Sequence, residues 1–230
     1  MIPALGFGAE LQVNITGLNV ALTKAVRADL TLQQAITEQK LTEARIKNLY
    51  YIATEQITTT LQAKGYYNSN ISSTLIEKNK WIATFAITLG KPTRVASINI
   101  AIDGPGENNN KLKAALNNLK HKIIVGKIIT HADYEDTKEE LLANCNALGY
   151  LQAEFKESIL AVDRNNYVAN IKLKINTGTQ YSFGKIQFID GVYSDDFLKR
   201  FAPFKAGDPY ELQKLIEFQA NLEKSDLFSK

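Results

Sequence analysis

The patterned part of the chain begins with a period of two. Leu11, Val13 and Ile15 alternate with Gln12, Asn14 and Thr16, which predicts a strand with one apolar face. Gly17 turns the chain, and from residue 20 the period lengthens. Leu22, Val26 and Leu30 form one stripe over 20–30; Ile46, Tyr50, Ala53, Ile57 and Leu61 form another from about Thr42 to Lys64. Both spacings predict helices with a single buried face. Gly65 ends the longer helix, a favoured residue where the backbone turns left-handed. A strand is expected over 66–76 and a turn at Asn79-Lys80. Trp81, Ala83, Phe85, Ile87 and Leu89 then alternate through a further strand until Gly90 and Pro92 stop it.

The same order returns. Ile98, Ile100 and Ile102 predict a strand, and Gly104-Pro105-Gly106 breaks it. A short helix is expected over 109–120, and a longer one from near Asp133 with Tyr134, Leu141, Cys145 and Leu148 on its buried stripe. Gly149-Tyr150 closes that helix as Gly65-Tyr66 closes the earlier one. A strand is expected near Ala153–Val162, then a polar turn over 163–166, and a last strand carrying Tyr167, Ala169, Ile171, Leu173 and Ile175. The order then starts a third time. Tyr181, Phe183, Ile186 and Phe188 predict a strand with an irregularity at Gly184. Ser194 or Asp195 caps a short helix ending near Phe201, and a second helix lies within 207–230, with Tyr210 where the previous unit has Tyr134.

Three short stretches, LQVNITG, INIAIDG and KIQFIDG, mark the three starts; their glycines, Gly17, Gly104 and Gly191, are 87 residues apart both times. A fixed period of this size predicts tandem units. Each reads strand–helix–helix–strand–strand, an α+β arrangement in which two helices cover one face of a three-stranded sheet. The expected division is 10–92, 93–178 and 179–230, the third unit incomplete because its last two strands are missing. Residues 1–9, apolar and ending in small side chains, fit a signal-peptide remnant or vector-derived sequence equally. Apolar residues of the opposite parity, such as Ile82 and Val168, suggest that part of the second sheet face is covered as well.

Composition narrows the function. A net charge of +3, with 119-LKHK-122 the densest basic stretch, is too weak for a nucleic-acid footprint. The single cysteine, Cys145, sits at helical spacing with Leu141 and Leu148 and reads as a small buried hydrophobe. No run of about 18 apolar residues is present to form a membrane-spanning helix. His121 and His131 share no metal-binding spacing. Asp133, Glu135, Asp136, Glu139 and Glu140 crowd the start of a helix, where negative charge is favourable. Glu139-Glu140 and Asp195-Asp196 are adjacent in sequence and so cannot face each other as paired acids. A hydrolase would need a nucleophile with its base or two facing carboxylates, and neither is evident. No cofactor is implied. A lipid carrier would need an apolar lining continuous across the units; Ile82 and Val168 are its only hint. The sequons at Asn14 and Asn70 are of a kind that arises often by chance.

A unit of this order and length, repeated in tandem, resembles the POTRA domain. Gly65-Tyr66 and Gly149-Tyr150 are similar to that family's glycine–aromatic step, and the strands ending in Ile-Asp-Gly to its first strand. The stretch 183-FGKIQFIDGVYSDDFLKRFAPFKAGDPYELQKL-215, and 147-ALGYLQAEF-155 before it, resemble the POTRA domains of the TamA family in particular. The chain departs from the pattern at Asp226-Leu227-Phe228, where a third glycine–aromatic step is expected. The resemblance implies a non-enzymatic periplasmic arm of an outer-membrane barrel protein. It would dock a TamB-like inner-membrane-anchored protein and guide outer-membrane protein clients, autotransporters among them, with a link to phospholipid movement. POTRA regions of the BamA kind or of two-partner secretion transporters, and a free-standing periplasmic adaptor, are the alternatives.

The binding expectation is physical. The outer strand of a sheet exposes unpaired backbone N–H and C=O groups, to which an extended segment can add. The strand after the second helix of each unit is the candidate: Asn70, Ile71, Ser72, Ser73, Thr74 and Leu75 in the first, and Glu154, Phe155, Lys156, Glu157, Ser158 and Ile159 in the second.

Overall fold

The computed structural model describes residues 9–37, 41–119, 123–189 and 193–225. They divide into two compact units. The first runs through Ala96 and takes in Gly126–Ala132 and Val162–Ala169; the second comprises Ser97–Val125, Asp133–Ala161 and the chain from Asn170 onward.

In the first unit the order is β1 (Leu11–Thr16), α1 (Val20–Asp29), α2 (Thr31–Gln34) with a 3-10 turn over Ala35–Thr37, α3 (Glu43–Ala63), β2 (Asn70–Glu77) and β3 (Trp81–Thr88). The sheet order is β1-β3-β2. β1 runs parallel to β3, from Leu11 opposite Trp81 to Thr16 opposite Ala86. β2 runs antiparallel to it, from Asn70 opposite Thr88 to Glu77 opposite Trp81. The period-two residues Leu11, Val13, Ala83, Phe85 and Ile87 bury against Leu22 and Val26 of α1 and Ile46, Ala53, Ile57 and Leu61 of α3. The periodicity is therefore the packing. The short turn of α2 is an element that the periodicity does not announce, yet Leu32 and Ala35 there are 0% and 1% exposed.

The helix starts are set by their caps. Asn19 Oδ1 accepts the amide of Leu22 at 2.9 Å, and Thr42 Oγ1 that of Arg45 at 3.3 Å, satisfying amides that have no partner inside the helix. At the other end of α3 the amide of Tyr66 reaches the carbonyl of Leu61 at 2.9 Å and that of Gly65 the carbonyl of Gln62 at 2.9 Å. Gly65 has φ +89°. This is a Schellman close, which wants glycine at the left-handed position. It also explains why β2 begins at Asn70 rather than at Tyr66, four residues later than the apolar pattern suggests.

The second sheet joins β4 (Arg94–Asp103), β5 (Glu154–Asp163) and β6 (Val168–Asn176) in the order β4-β6-β5, with α4 (Asn110–Leu119) and α5 (His131–Ala147) between β4 and β5 in sequence. The same Schellman pair closes α5: Tyr150 to Cys145 and Gly149 to Asn146, both at 3.0 Å. Leu112, Leu116, Leu141, Cys145 and Ile175 bury together in the second unit. Both sheets are three-stranded and mixed, so the chain holds tandem β-α-α-β-β units of POTRA type. Gly17 and Gly104 have φ of +88° and +85°, so the sequence repeat is a backbone repeat. Gly191 and 226–228 lie outside the described residues, as do His121 and residues 1–8.

The third start differs from expectation. Among the described residues, 181–188 form no strand ladder; the one bridge there pairs Ser182 with Pro209. A strand exists only by pairing. The described chain continues instead with α6 (Asp195–Leu198), a 3-10 turn over Lys199–Phe201 and α7 (Leu212–Lys224). The apolar side chains still cluster. Phe183 stacks on Phe204 with ring centroids 3.7 Å apart, and Phe204 meets Phe218 edge-on at 5.8 Å.

Candidate functional site

The structure places both candidate segments on outer strands. Asn70 to Leu75 lie on β2, and Glu154 to Ile159 on β5. Among the described residues each has a strand neighbour on one side only, β3 and β6 respectively. On the other side alternate N–H and C=O groups lie in the sheet plane without a strand partner.

A three-stranded sheet has two edges, and the other two are partly occupied. At β1 a guanidinium nitrogen of Arg27, on α1, lies 3.4 Å from the carbonyl of Val13. At β4 the chain covers the first residues itself. Arg94 bridges to Ile128, and Val95 donates to the carbonyl of Lys127 at 2.9 Å and accepts from Gly126 at 2.8 Å. The Arg94 side chain adds a bond to the Gly126 carbonyl at 2.7 Å. Sequence reasoning missed both covers. The signal for the second was present: Gly126 and Gly207 each lie in a turn, and the residue two further on, Ile128 or Pro209, makes an antiparallel bridge.

β2 is held in place from two directions. Its inward row, Ile71 and Leu75, packs on the first unit's core, and Ser73 accepts a hydrogen bond from the Tyr50 hydroxyl of α3 at 2.9 Å. Just before the strand, the Asn68 amide donates to the carbonyl of Arg164 at 2.8 Å. Its outward row, Asn70, Ser72 and Thr74, is exposed. In β5, Phe155 packs inward, and the Ser158 hydroxyl meets Tyr134 of α5 at 2.9 Å. The second unit therefore repeats the tyrosine–serine tie between long helix and outer strand.

The chemistry of the remaining candidates is structural. Cys145 is fully buried, and burial pushes its thiol up to about 11, so it is a protonated core side chain at neutral pH. His131 Nε2 lies 2.8 Å from the Tyr67 hydroxyl, whose phenol is raised by burial. Glu135 pairs with Lys138 at 2.8 Å. Among the described residues no three His, Cys, Asp or Glu side chains group as a metal site, and no helix is long and apolar enough to cross a membrane.

Residues 12–89 match the family profile "POTRA domain TamA domain 1". Among solved structures the chain is similar to BamA POTRA3-5 from Haemophilus influenzae, with 16% identity, 97% of this chain and 87% of that chain covered, and a TM-score of 0.47. It is also similar to POTRA1-3 of the periplasmic domain of Omp85 from Anabaena, with 16% identity, 97% and 86% covered, and a TM-score of 0.38. The profile match covers the first unit, whose β1-β3-β2 sheet and covering helices have the POTRA-like order. That unit is the one that carries the TamA domain 1 signature.

Proposed function

We propose that the chain is a periplasmic scaffold of the Omp85/TpsB superfamily and, within it, of the TamA kind. It docks a TamB-like inner-membrane-anchored protein and presents outer-membrane protein clients, including autotransporters, to a following barrel, with a share in phospholipid transport. Units at 10–92 and 93–178 and the residues from 179 form the arm. Docking proceeds by strand addition at Asn70–Leu75 of β2 and at Glu154–Ile159 of β5. Backbone pairing accepts many sequences, which suits a scaffold with varied clients. The observation that carries this reading is the contrast of edges: among the described residues β2 and β5 end their sheets openly, while Arg27 meets β1 at Val13 and residues 126–128 cover the start of β4. The match of 12–89 to the TamA profile favours this kind over a BamA or two-partner secretion arm.

The test is photocrosslinking in cells, with a benzophenone amino acid replacing Ser72, Thr74 or Lys156 in the intact protein and products identified by mass spectrometry. The reading expects adducts with the TamB-like protein or with unfolded barrel clients. Adducts confined to the barrel-assembly partners of a BamA-type protein, or to none of these, would contradict it.

A further inference from the structure

We infer that the two open edges are not equivalent: β2 is the receptive one, β5 is guarded, and the segment β2 receives is an uncharged strand of alternating apolar and polar side chains. This rests on the strand-addition reading above and goes beyond it by choosing between the edges and stating the chemistry of the occupant.

Natural sheets protect open edges with charge, with lysine above all, and with local slips in the strand. β5 has both devices. Glu154 and Lys156 form an ion pair along the strand, and Glu157 pairs with Lys172 of the neighbouring strand at 2.6 Å. Burial alternates through Glu154–Glu157 and then slips, with Ser158 and Ile159 both exposed. A strand arriving here meets three charged side chains in four residues and a broken alternation. β2 has neither device. From Asn70 to Ile76 it carries no charge, its alternation is unbroken to Leu75, and Glu77 at its far end is its one ionisable group.

The flanks of β2 define the occupant. Gln56 and Thr60 of α3 turn towards the first two helices, bonding Thr31 and Asp29, while Tyr50 turns towards β2 through Ser73. At about 100° per residue, Tyr51, Thr54 and Thr58 lie further round on the β2 side than Tyr50, while Lys47 on the same stripe is paired with Glu43 and set over the Trp81 ring. Tyr51 is 87% exposed. An added strand places one row of side chains beside that ring and the threonine methyls, which favours apolar residues. Its other row continues Asn70, Ser72 and Thr74, which favours polar ones, until the exposed Ile76 near the strand's end. Antiparallel pairing is the more stable choice.

The probe is a synthetic ten-residue peptide of alternating valine and threonine with a lysine at each end. The readout is amide hydrogen exchange of the full chain by NMR. The expected result is slowed exchange at alternate residues of 70–77 and none at 154–163. A peptide N-methylated at every residue, and so without N–H donors on either edge, should give no protection. Thr74→Lys, at an exposed position, should weaken binding at least tenfold with the melting temperature unchanged. The double variant Glu154→Thr, Lys156→Thr should gain protection on β5. Equal protection of β2 and β5 in the native chain would overturn the selectivity while leaving strand addition standing. Protection of neither strand, or equal binding of the N-methylated peptide, would overturn both.

Discussion

The hydroxyl of Tyr50 donates to Ser73 Oγ at 2.9 Å, joining the long helix of the first unit to its outermost strand. The bond holds an edge that, among the described residues, has a strand neighbour on one side only. Tyr50→Phe should cost about 1 kcal/mol, the ordinary net value of one such bond. The loss should be local: exchange at 70–77 quickens more than in β3. Urea unfolding combined with hydrogen exchange measures both. Uniform acceleration across the sheet would show that the bond serves the whole fold rather than the edge.

Gly65 combines a left-handed backbone with close approach. A Cβ there would stand 2.4 Å from the carbonyl of Ile129, whereas one at Gly126, with a similar φ of +87°, would meet nothing within 4 Å. Gly126→Ala should therefore cost only the backbone strain, about 1–2 kcal/mol. Gly65→Ala should cost more and should also loosen the amides of Thr93 and Ile129, which bond to Gly65 and Thr93 at 2.8 and 3.1 Å. Denaturation of the two variants side by side checks the order.

Burial lifts the thiol of Cys145 to about 11, so at pH 8 almost none of it is the reactive thiolate. In native protein, labelling by a thiol reagent should proceed only as fast as the fold opens, and in urea it should be complete at once. Fast labelling of the native chain would mean that the α5 core breathes.

The fold was largely legible because its signals are periodic. Alternation placed β1 and β3, and the Gly65-Tyr66 and Gly149-Tyr150 steps marked the helix ends that the Schellman bonds make. Legibility failed where structure depends on partners distant in sequence. Tyr181 to Phe188 have a strand's pattern but no ladder, because pattern supplies a face and pairing supplies the strand. The covers over β1 and β4 come from one arginine and from a turn at 126–128, which periodicity does not register. The asymmetry of β2 and β5 was written in Glu154, Lys156 and Glu157 all along, but it acquires meaning only once both strands are known to be outermost.

Glu211 gives a pH prediction. Hydrogen bonding to Lys111, with a further contribution from Lys214, holds its carboxyl below the usual value of 4.5. Its pKa is lower folded than unfolded, so its contribution to stability is fully present above the ordinary glutamate value and is lost as pH falls through the lower, folded one. Glu211→Gln should lower the melting temperature of the chain at pH 7 and make little difference at acid pH, where the wild-type group is also neutral. A gap between the two melting curves that stays constant down to acid pH would refute the ion pair's role.

The most direct test of the central claim is the backbone contact itself. The periplasmic segment of a TamB-like protein, isotopically labelled, would be mixed with the 230-residue chain and inter-molecular nuclear Overhauser effects collected. Strand addition predicts regularly spaced backbone-to-backbone contacts between the partner and residues 70–77, together with slowed exchange of the outward amides of β2. Contacts confined to side chains of the helices, with those amides still exchanging freely, would contradict it.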